Sequence, residues 1–342
     1  MRSQSLMKST ILLVVVVAST VLCWELYWRS HGYEISYDDT PSMWADKRKR
    51  VYEPSESSTV FIGGSRIKYD IDINTWQQIT GQHAIQLGCV GSTPLPVLVN
   101  LADDSKFKGR LVIDVTETLF FSPSDAQRPK EGIKYYDEET PAQWASFHVN
   151  HLLESQFVFL DKESLSLGAI LDHLPLQNRP GVFHFAGFPP EFERMSFERQ
   201  QNMTNRFSAD TAQRNTVIKI WKMFDSDTSF RPTNGKKLDS IFNLVKTSID
   251  KIKARGGDVI FVRPPSTGSY LARENKYYPR ALYWDKLLQI TGCPGIHYQD
   301  YPSISNLNCP EESHLDLAGA KIFTTHLIDL LKEKGWVFSY SK

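Results

Sequence analysis

The chain has 342 residues, of which 41% are hydrophobic and 23% charged, an ordinary globular composition for one large domain or a domain with an insertion. Lys plus Arg and Asp plus Glu both number 39, so the formal net charge is zero. This balance gives no electrostatic reason to expect nucleic acid as a partner, and the sequence shows neither internal repeats nor extended low-complexity tracts.

The first thirty residues differ from the rest. Arg2 and Lys8 precede an apolar run from Thr10 to Trp24 that contains four consecutive valines; Glu25 interrupts it, and Leu26, Tyr27 and Trp28 follow. No small-x-small cleavage site follows the run, and Trp24, Tyr27 and Trp28 cluster at its distal end as interfacial aromatics do. Residues 1–28 are therefore expected to form a retained single-pass anchor, with a cleaved signal peptide as the alternative. The basic residues before the run put the N-terminus in the cytoplasm and the bulk of the chain outside the cell membrane. Of the four cysteines, Cys23 lies in this segment. Cys293 and Cys309 bracket one short stretch and are expected to pair, which leaves Cys89 as a buried thiol.

Residues 29–57 are polar and mixed and read as a linker. An alternating pattern follows. Thr59 to Ile62 is a short apolar β-branched run ending in Gly63-Gly64-Ser65. Asp72 caps a helix through Trp76 and Ile79, closed by Gly81. Ala84 to Leu87 is a second strand, Pro94 to Leu101 a helix, and Leu111 to Val115 a third strand. Residues 122–235 lose this regularity, apart from helical stretches such as Val217 to Phe224, and read as an insertion or cap. Then Leu238, Ile241, Phe242, Val245, Ile249 and Ile252 fall at helical spacing. Asp258 to Val262 is a fourth strand, Gly295 to Tyr298 a fifth, and Leu317 to Lys334 a final amphipathic helix. Short apolar strands joined by helices imply a parallel sheet covered on both faces, with ligands at the carboxyl ends of its strands. The α/β domain thus comprises 58–121 and 236–342.

The loops at those ends hold the residues that carry chemistry. Ser65 sits at a strand-to-helix turn, where backbone N–H groups can stabilise an oxyanion; the same pattern also suits a tight turn with a capping serine. A second loop reads Gln86-Leu-Gly88-Cys-Val-Gly91. Before the last helix comes Glu311-Glu312-Ser313-His314, where a carboxylate three residues before a histidine can orient its imidazole. Asp316 has a competing role as the N-cap of that helix. Arg66 and Arg263 could each clamp an anionic group on a substrate or neutralise Asp114, a carboxylate in a buried strand.

Taken together, these three segments resemble the SGNH (GDSL-type) hydrolase family. Its Gly-Asp-Ser-like turn corresponds to Gly63-Gly64-Ser65-Arg66. Its oxyanion glycine corresponds to Gly91, with Gln86 where the family has asparagine. Its Asp-x-x-His block corresponds to Glu311-x-x-His314. The resemblance implies a flavodoxin-like three-layer α/β/α sheet, a serine nucleophile (Ser65), a histidine base (His314) and an orienting acid (Glu311, with Glu312 competing). It also implies acyl-ester chemistry without metal or other cofactor. The family's third block, Gly-x-Asn-Asp, is not reproduced: the strand leads into Thr116-Glu117-Thr118, so Thr116 or Thr118 would have to supply that oxyanion donor beside the backbone N–H groups of Ser65 and Gly91.

Two functions follow as expectations. One is a serine esterase or O-acyltransferase acting on an acyl ester or acylated envelope glycan. Its layout is similar to that of anchored envelope polysaccharide O-acetylation proteins, which work beside a membrane acyltransferase partner. The other is a non-catalytic membrane-anchored binding or scaffold protein on the same fold.

Overall fold

A computed structural model of the chain describes residues 2–121, 126–172, 187–223 and 232–338. The end of the expected helix Val217 to Phe224 and the tail after Phe338 lie outside the described residues. The chain divides into two compact units, Met1–Asp38 with Pro141–Pro190 and Asp39–Thr140 with Glu191–Lys342.

The second unit is built on a five-stranded, wholly parallel sheet: β1 (Ser58–Ile62), β2 (His83–Gln86), β3 (Arg110–Asp114), β6 (Asp258–Arg263) and β7 (Gly295–His297), in the order β2-β1-β3-β6-β7. Two further two-residue strands, β4 (Arg194–Met195) and β5 (Gln201–Asn202), pair with each other outside that sheet. The strands alternate between two cores, as a period of two requires. Val60, Ile62, Leu111, Ile113, Val259 and Phe261 face a cluster with Leu98, Leu101, Phe242, Val245, Ile249 and Trp284. Phe61, Val112, Ile260, Val262 and Ile296 face another with Ile67, Trp76, Phe323, Leu327, Ile328 and Leu331. Each face is therefore covered by helices, Leu95–Asp103, Lys236–Ala254 and Trp284–Thr291 on one and Ile73–Thr80 and Leu317–Glu333 on the other. Burial on both faces explains why the strands read as continuous apolar runs. The sheet order reverses direction at β1, so the crevice between the carboxyl ends of β1 and β3 is where such sheets take ligands.

Two expectations change here. Cys293 and Cys309 are not bridged; both are free and buried. Cys293 belongs to the core on one side of the sheet and Cys309 to the core on the other, so the sheet separates two thiols that are close in sequence. The stretch 29–57 is not all linker. Thr40 accepts a hydrogen bond from Met43 N–H and starts the helix Pro41–Lys49. Trp44 of that helix is buried and donates its indole N–H to Leu87 O at 3.1 Å. Of the region 122–235, Gln127–Glu138 and the residues from Glu191 onward belong to the sheet-bearing unit, and Pro141–Pro190 to the other.

That other unit carries the N-terminal helix, Arg2–Ser30, of which Ser5–Ser30 is long and apolar enough to cross a membrane. Glu25, the one acid in it, is buried. Its carboxylate pairs with Arg29 and accepts the N–H groups of Val158 (3.1 Å) and Phe159 (3.2 Å). A charge that reads as an interruption of the apolar run thus ties down the start of the 3-10 turn Val158–Leu160.

Candidate active site

Ser65 opens the six-residue helix Ser65–Asp70 directly after β1 and Gly63-Gly64. The two glycines are required by a close approach. A Cβ on Gly63 would lie 2.4 Å from Cβ of Asp114, and one on Gly64 would lie 2.6 Å from Cδ1 of Leu119. Asp114, at the end of the neighbouring strand β3, fills the space beside Gly63, and Leu119 the space beside Gly64. Its carboxylate accepts Gly64 N–H at 3.0 Å and the Thr116 hydroxyl at 3.1 Å. Burial pushes the Asp114 carboxyl up to about 6, against the pull of Arg66 and of these donors.

His314 arrives from the turn before the last helix. Its Nε2 lies 2.7 Å from Ser65 Oγ, and its Nδ1 lies 2.9 Å from Glu311 Oε1. This sets the tautomer: Nδ1–H donates to the carboxylate, leaving Nε2 to accept the serine proton. Ser65 and His314, 249 residues apart in sequence, are brought together across the carboxyl edge of the sheet. Glu311 and His314 are 0% and 1% exposed, whereas Ser65 is partly open to solvent, so only the hydroxyl end of the chain is reachable. Glu311 also accepts the backbone N–H groups of Ser313 and His314, and Trp221 donates its indole N–H to the second carboxylate oxygen. Glu312 turns away at φ 76° and accepts Tyr270 N–H at 3.1 Å near the start of the helix Gly268–Tyr277. The two adjacent glutamates therefore have separate tasks. Asp316 caps the last helix by accepting Gly319 N–H at 2.8 Å.

The imidazole is held in an aromatic enclosure. Tyr69, Phe192 and Trp221 place their ring centroids 4.4, 5.8 and 5.9 Å from that of His314. Such rings exclude water and strengthen the polar contacts among them. Trp221 is therefore expected to set the efficiency of the site. In Trp221→Phe the ring is retained and one donor to Glu311 is lost, so kcat on an ester substrate should fall roughly tenfold, the scale of one hydrogen bond to a charged group. Steady-state kinetics would check this, and an unchanged kcat would remove Trp221 from the site.

The second loop packs against the Gly63–Ser65 turn. Cys89 N–H donates to Gly63 O at 3.0 Å, and a Cβ on Gly88 would lie 3.2 Å from Gly64 O. Gln86 joins the two segments: its amide donates to Ile67 O at 2.8 Å and accepts Gly88 N–H at 2.9 Å. Gly91 follows, exposed and at φ 63°, a conformation that favours glycine. Arg199 braces the same loop from outside, donating to Gln86 O (2.7 Å) and Gly88 O (3.0 Å) while pairing with Asp39.

Three sequence assignments need correction. The Thr116 hydroxyl is bonded to Asp114 and is not available to an oxyanion. Arg66 and Arg263 are buried rather than open to substrate. Both bind Glu274, at 2.8 and 2.6 Å, Arg263 also pairs with Glu117 at 3.0 Å, and Arg66 donates to Ser313 O. Burial opposes the charge on Glu274, but Arg263 and Arg66 hold its carboxyl down at about 2. This network joins the helix Ser65–Asp70 to the Glu311–His314 turn. Arg199, Phe192 and Trp221, all from the irregular region, and Glu274, from a helix that reads as polar, were missed in the sequence. Only a buried arginine–acid network, which implies a compensating carboxylate, could have hinted at Glu274.

No family model matches the chain, and no curated protein matches it.

Proposed function

We propose that the chain is an SGNH-type serine esterase or O-acyltransferase, membrane-anchored with its catalytic domain outside the cytoplasm, acting on an acyl ester such as an acylated envelope glycan. The observation that carries this reading is the chain of contacts Ser65 Oγ–His314 Nε2 at 2.7 Å and His314 Nδ1–Glu311 at 2.9 Å. Ser65 Oγ attacks the acyl carbonyl as His314 Nε2 takes its proton, and Glu311 holds the imidazolium that forms. The developing oxyanion accepts backbone N–H groups: that of Ser65, unpaired in the first turn of its helix, and that of Gly91. On collapse His314 returns the proton to the leaving alkoxide. The acyl group on Ser65 then passes to water, giving hydrolysis, or to an acceptor hydroxyl, giving transfer, for instance in concert with a membrane acyltransferase.

A second reading, a non-catalytic binding or scaffold protein, draws support from one observation. Where the resembled family uses a third-block asparagine, the Thr116 hydroxyl is taken up by Asp114. The two readings separate by assay of the purified full-length chain on an aryl acetate, with and without an acetylatable glycan. Time-dependent release of the aryl alcohol above a His314→Ala control is the expected result, and no release in either condition favours the scaffold.

A further inference from the structure

The membrane-anchor unit contains a helix that is inside out by the rules of soluble proteins. In Pro141–Glu154, with about 3.6 residues per turn, Val149, Leu152 and Leu153 share one face. That face is the exposed one: Val149 is 61% exposed, Leu152 65% and Leu153 45%. The opposite face carries Trp144 and Phe147 and then Asn150, His151 and Glu154. Its last part is polar yet turned inward. Glu154 is buried and accepts the Asn150 amide, and the His151 ring lies tilted against Tyr37 with centroids 5.4 Å apart. Burial raises the Glu154 carboxyl above its ordinary value, and Asp38 adds to the effect. The short helix Leu167–Asp172 repeats the pattern, with Leu167 73% exposed and Leu171, one turn on, also exposed. An aqueous helix buries its apolar stripe; one that exposes it is matched to an apolar surround.

What that surround is follows from where the unit is tied to the N-terminal helix. At about 1.5 Å per residue, residues 6–24 cover about 28 Å, close to the roughly 30 Å hydrocarbon thickness of a bilayer. Glu25 is the next residue. It accepts the backbone N–H groups of Val158 and Phe159, and Arg29, one turn further, donates to Gln156 O at 2.9 Å. Trp24, Tyr27 and Trp28, which pack on one another at the same level, are the residue types that sit at headgroup depth. The segment directly following Pro141–Glu154 is therefore fastened at the height of the bilayer surface.

We propose that the exposed faces of Pro141–Glu154 and Leu167–Asp172 lie in the headgroup–acyl boundary of the bilayer crossed by the N-terminal helix, at its aromatic end. The proposal rests on that helix being a retained span, and it is independent of the chemistry at Ser65. The occupant of the apolar face is lipid, because the segment that follows this helix is bonded to Glu25 and Arg29 at the end of the apolar span.

The test uses the full chain carrying Cys23→Ser, reconstituted into phosphatidylethanolamine–phosphatidylglycerol vesicles. Cysteines added one at a time at Val149→Cys, Leu152→Cys and Leu167→Cys carry an environment-sensitive fluorophore, the remaining native thiols, Cys89, Cys293 and Cys309, being buried. Lys162→Cys, whose parent side chain is 64% exposed in the same unit, is the aqueous control. The three apolar sites should show blue-shifted emission, roughly twofold or greater quenching by lipids brominated close to the headgroup, and protection from iodide, as burial at shallow membrane depth requires. Lys162→Cys should show the reverse. Labels quenched by iodide and not by lipid, on protein that floats with the vesicles, would overturn the proposal while leaving the anchor intact. Labels wet in these vesicles but shielded in native membranes would overturn it in favour of a protein partner. Protein that does not float would defeat the anchor and this proposal together.

Discussion

Ser65→Ala and His314→Ala should each lower ester hydrolysis or acyl transfer by roughly four to six orders of magnitude, and the double variant should be little worse than either alone. The reason is geometric. In the proposed mechanism the serine hydroxyl gives its proton to the Nε2 that lies 2.7 Å away, so either deletion removes the same proton transfer. Glu311→Ala should cost less, by about two orders of magnitude, because orienting groups are partly dispensable and the aromatic rings around His314 continue to restrict it. Turnover numbers from purified variants check this, with circular dichroism to show that the fold is retained. Nearly additive losses in the double variant would mean that Ser65 and His314 act separately.

Glu274→Gln should be the most destabilising single change outside the hydrophobic cores, by about 3–5 kcal/mol, the scale for removing one partner of a buried charge network. Arg66 and Arg263 converge on this carboxylate and both are buried, so its loss strands Arg66 and leaves Arg263 with Glu117 as its one acid partner among the described residues. The sign with pH follows from the depressed carboxyl. Glu274 falls from an ordinary 4.5 to about 2 in the folded chain. Its contribution is thus complete above pH 4.5 and is lost as the pH drops through 2. Asp114 acts in the opposite sense, because a carboxyl raised to about 6 costs stability above that pH, and the cost is relieved on acidification. Urea unfolding of the wild type and Glu274→Gln should therefore give curves well separated at neutral pH that approach each other below pH 4.5. A gap that does not narrow would show that Glu274 acts by packing alone.

The parts of this fold that are local in sequence were readable, and the parts made by long-range convergence were not. Each strand of the main sheet is an apolar run because it is buried on both faces, and the glycine pair before Ser65 and the Glu-x-x-His before the last helix are contiguous motifs. The ends of β1 and the last helix meet because the sheet order carries them there. Trp221, Phe192 and Arg199 come from a stretch without periodicity and reach Glu311, His314 and Gln86 from about ninety or more positions away, which no window on the sequence contains. The cysteine pairing failed for the complementary reason: closeness in sequence says nothing about which face of a sheet each thiol joins. Arg66 and Arg263 read equally as ligand clamps and as partners of a buried carboxylate, and the carboxylate they share, Glu274, was not the one expected, Asp114. Thr116 reads as a free donor only until Asp114 turns out to hold the nucleophile turn.

The most direct test of the central claim is covalent. Full-length protein incubated with a fluorophosphonate and digested should yield one phosphonylated peptide, modified at Ser65. Labelling should vanish in Ser65→Ala and fall strongly in His314→Ala, whose serine keeps its position but loses its base. Labelling at another serine, or equal labelling of Ser65 with and without His314, would contradict a nucleophile activated by that histidine.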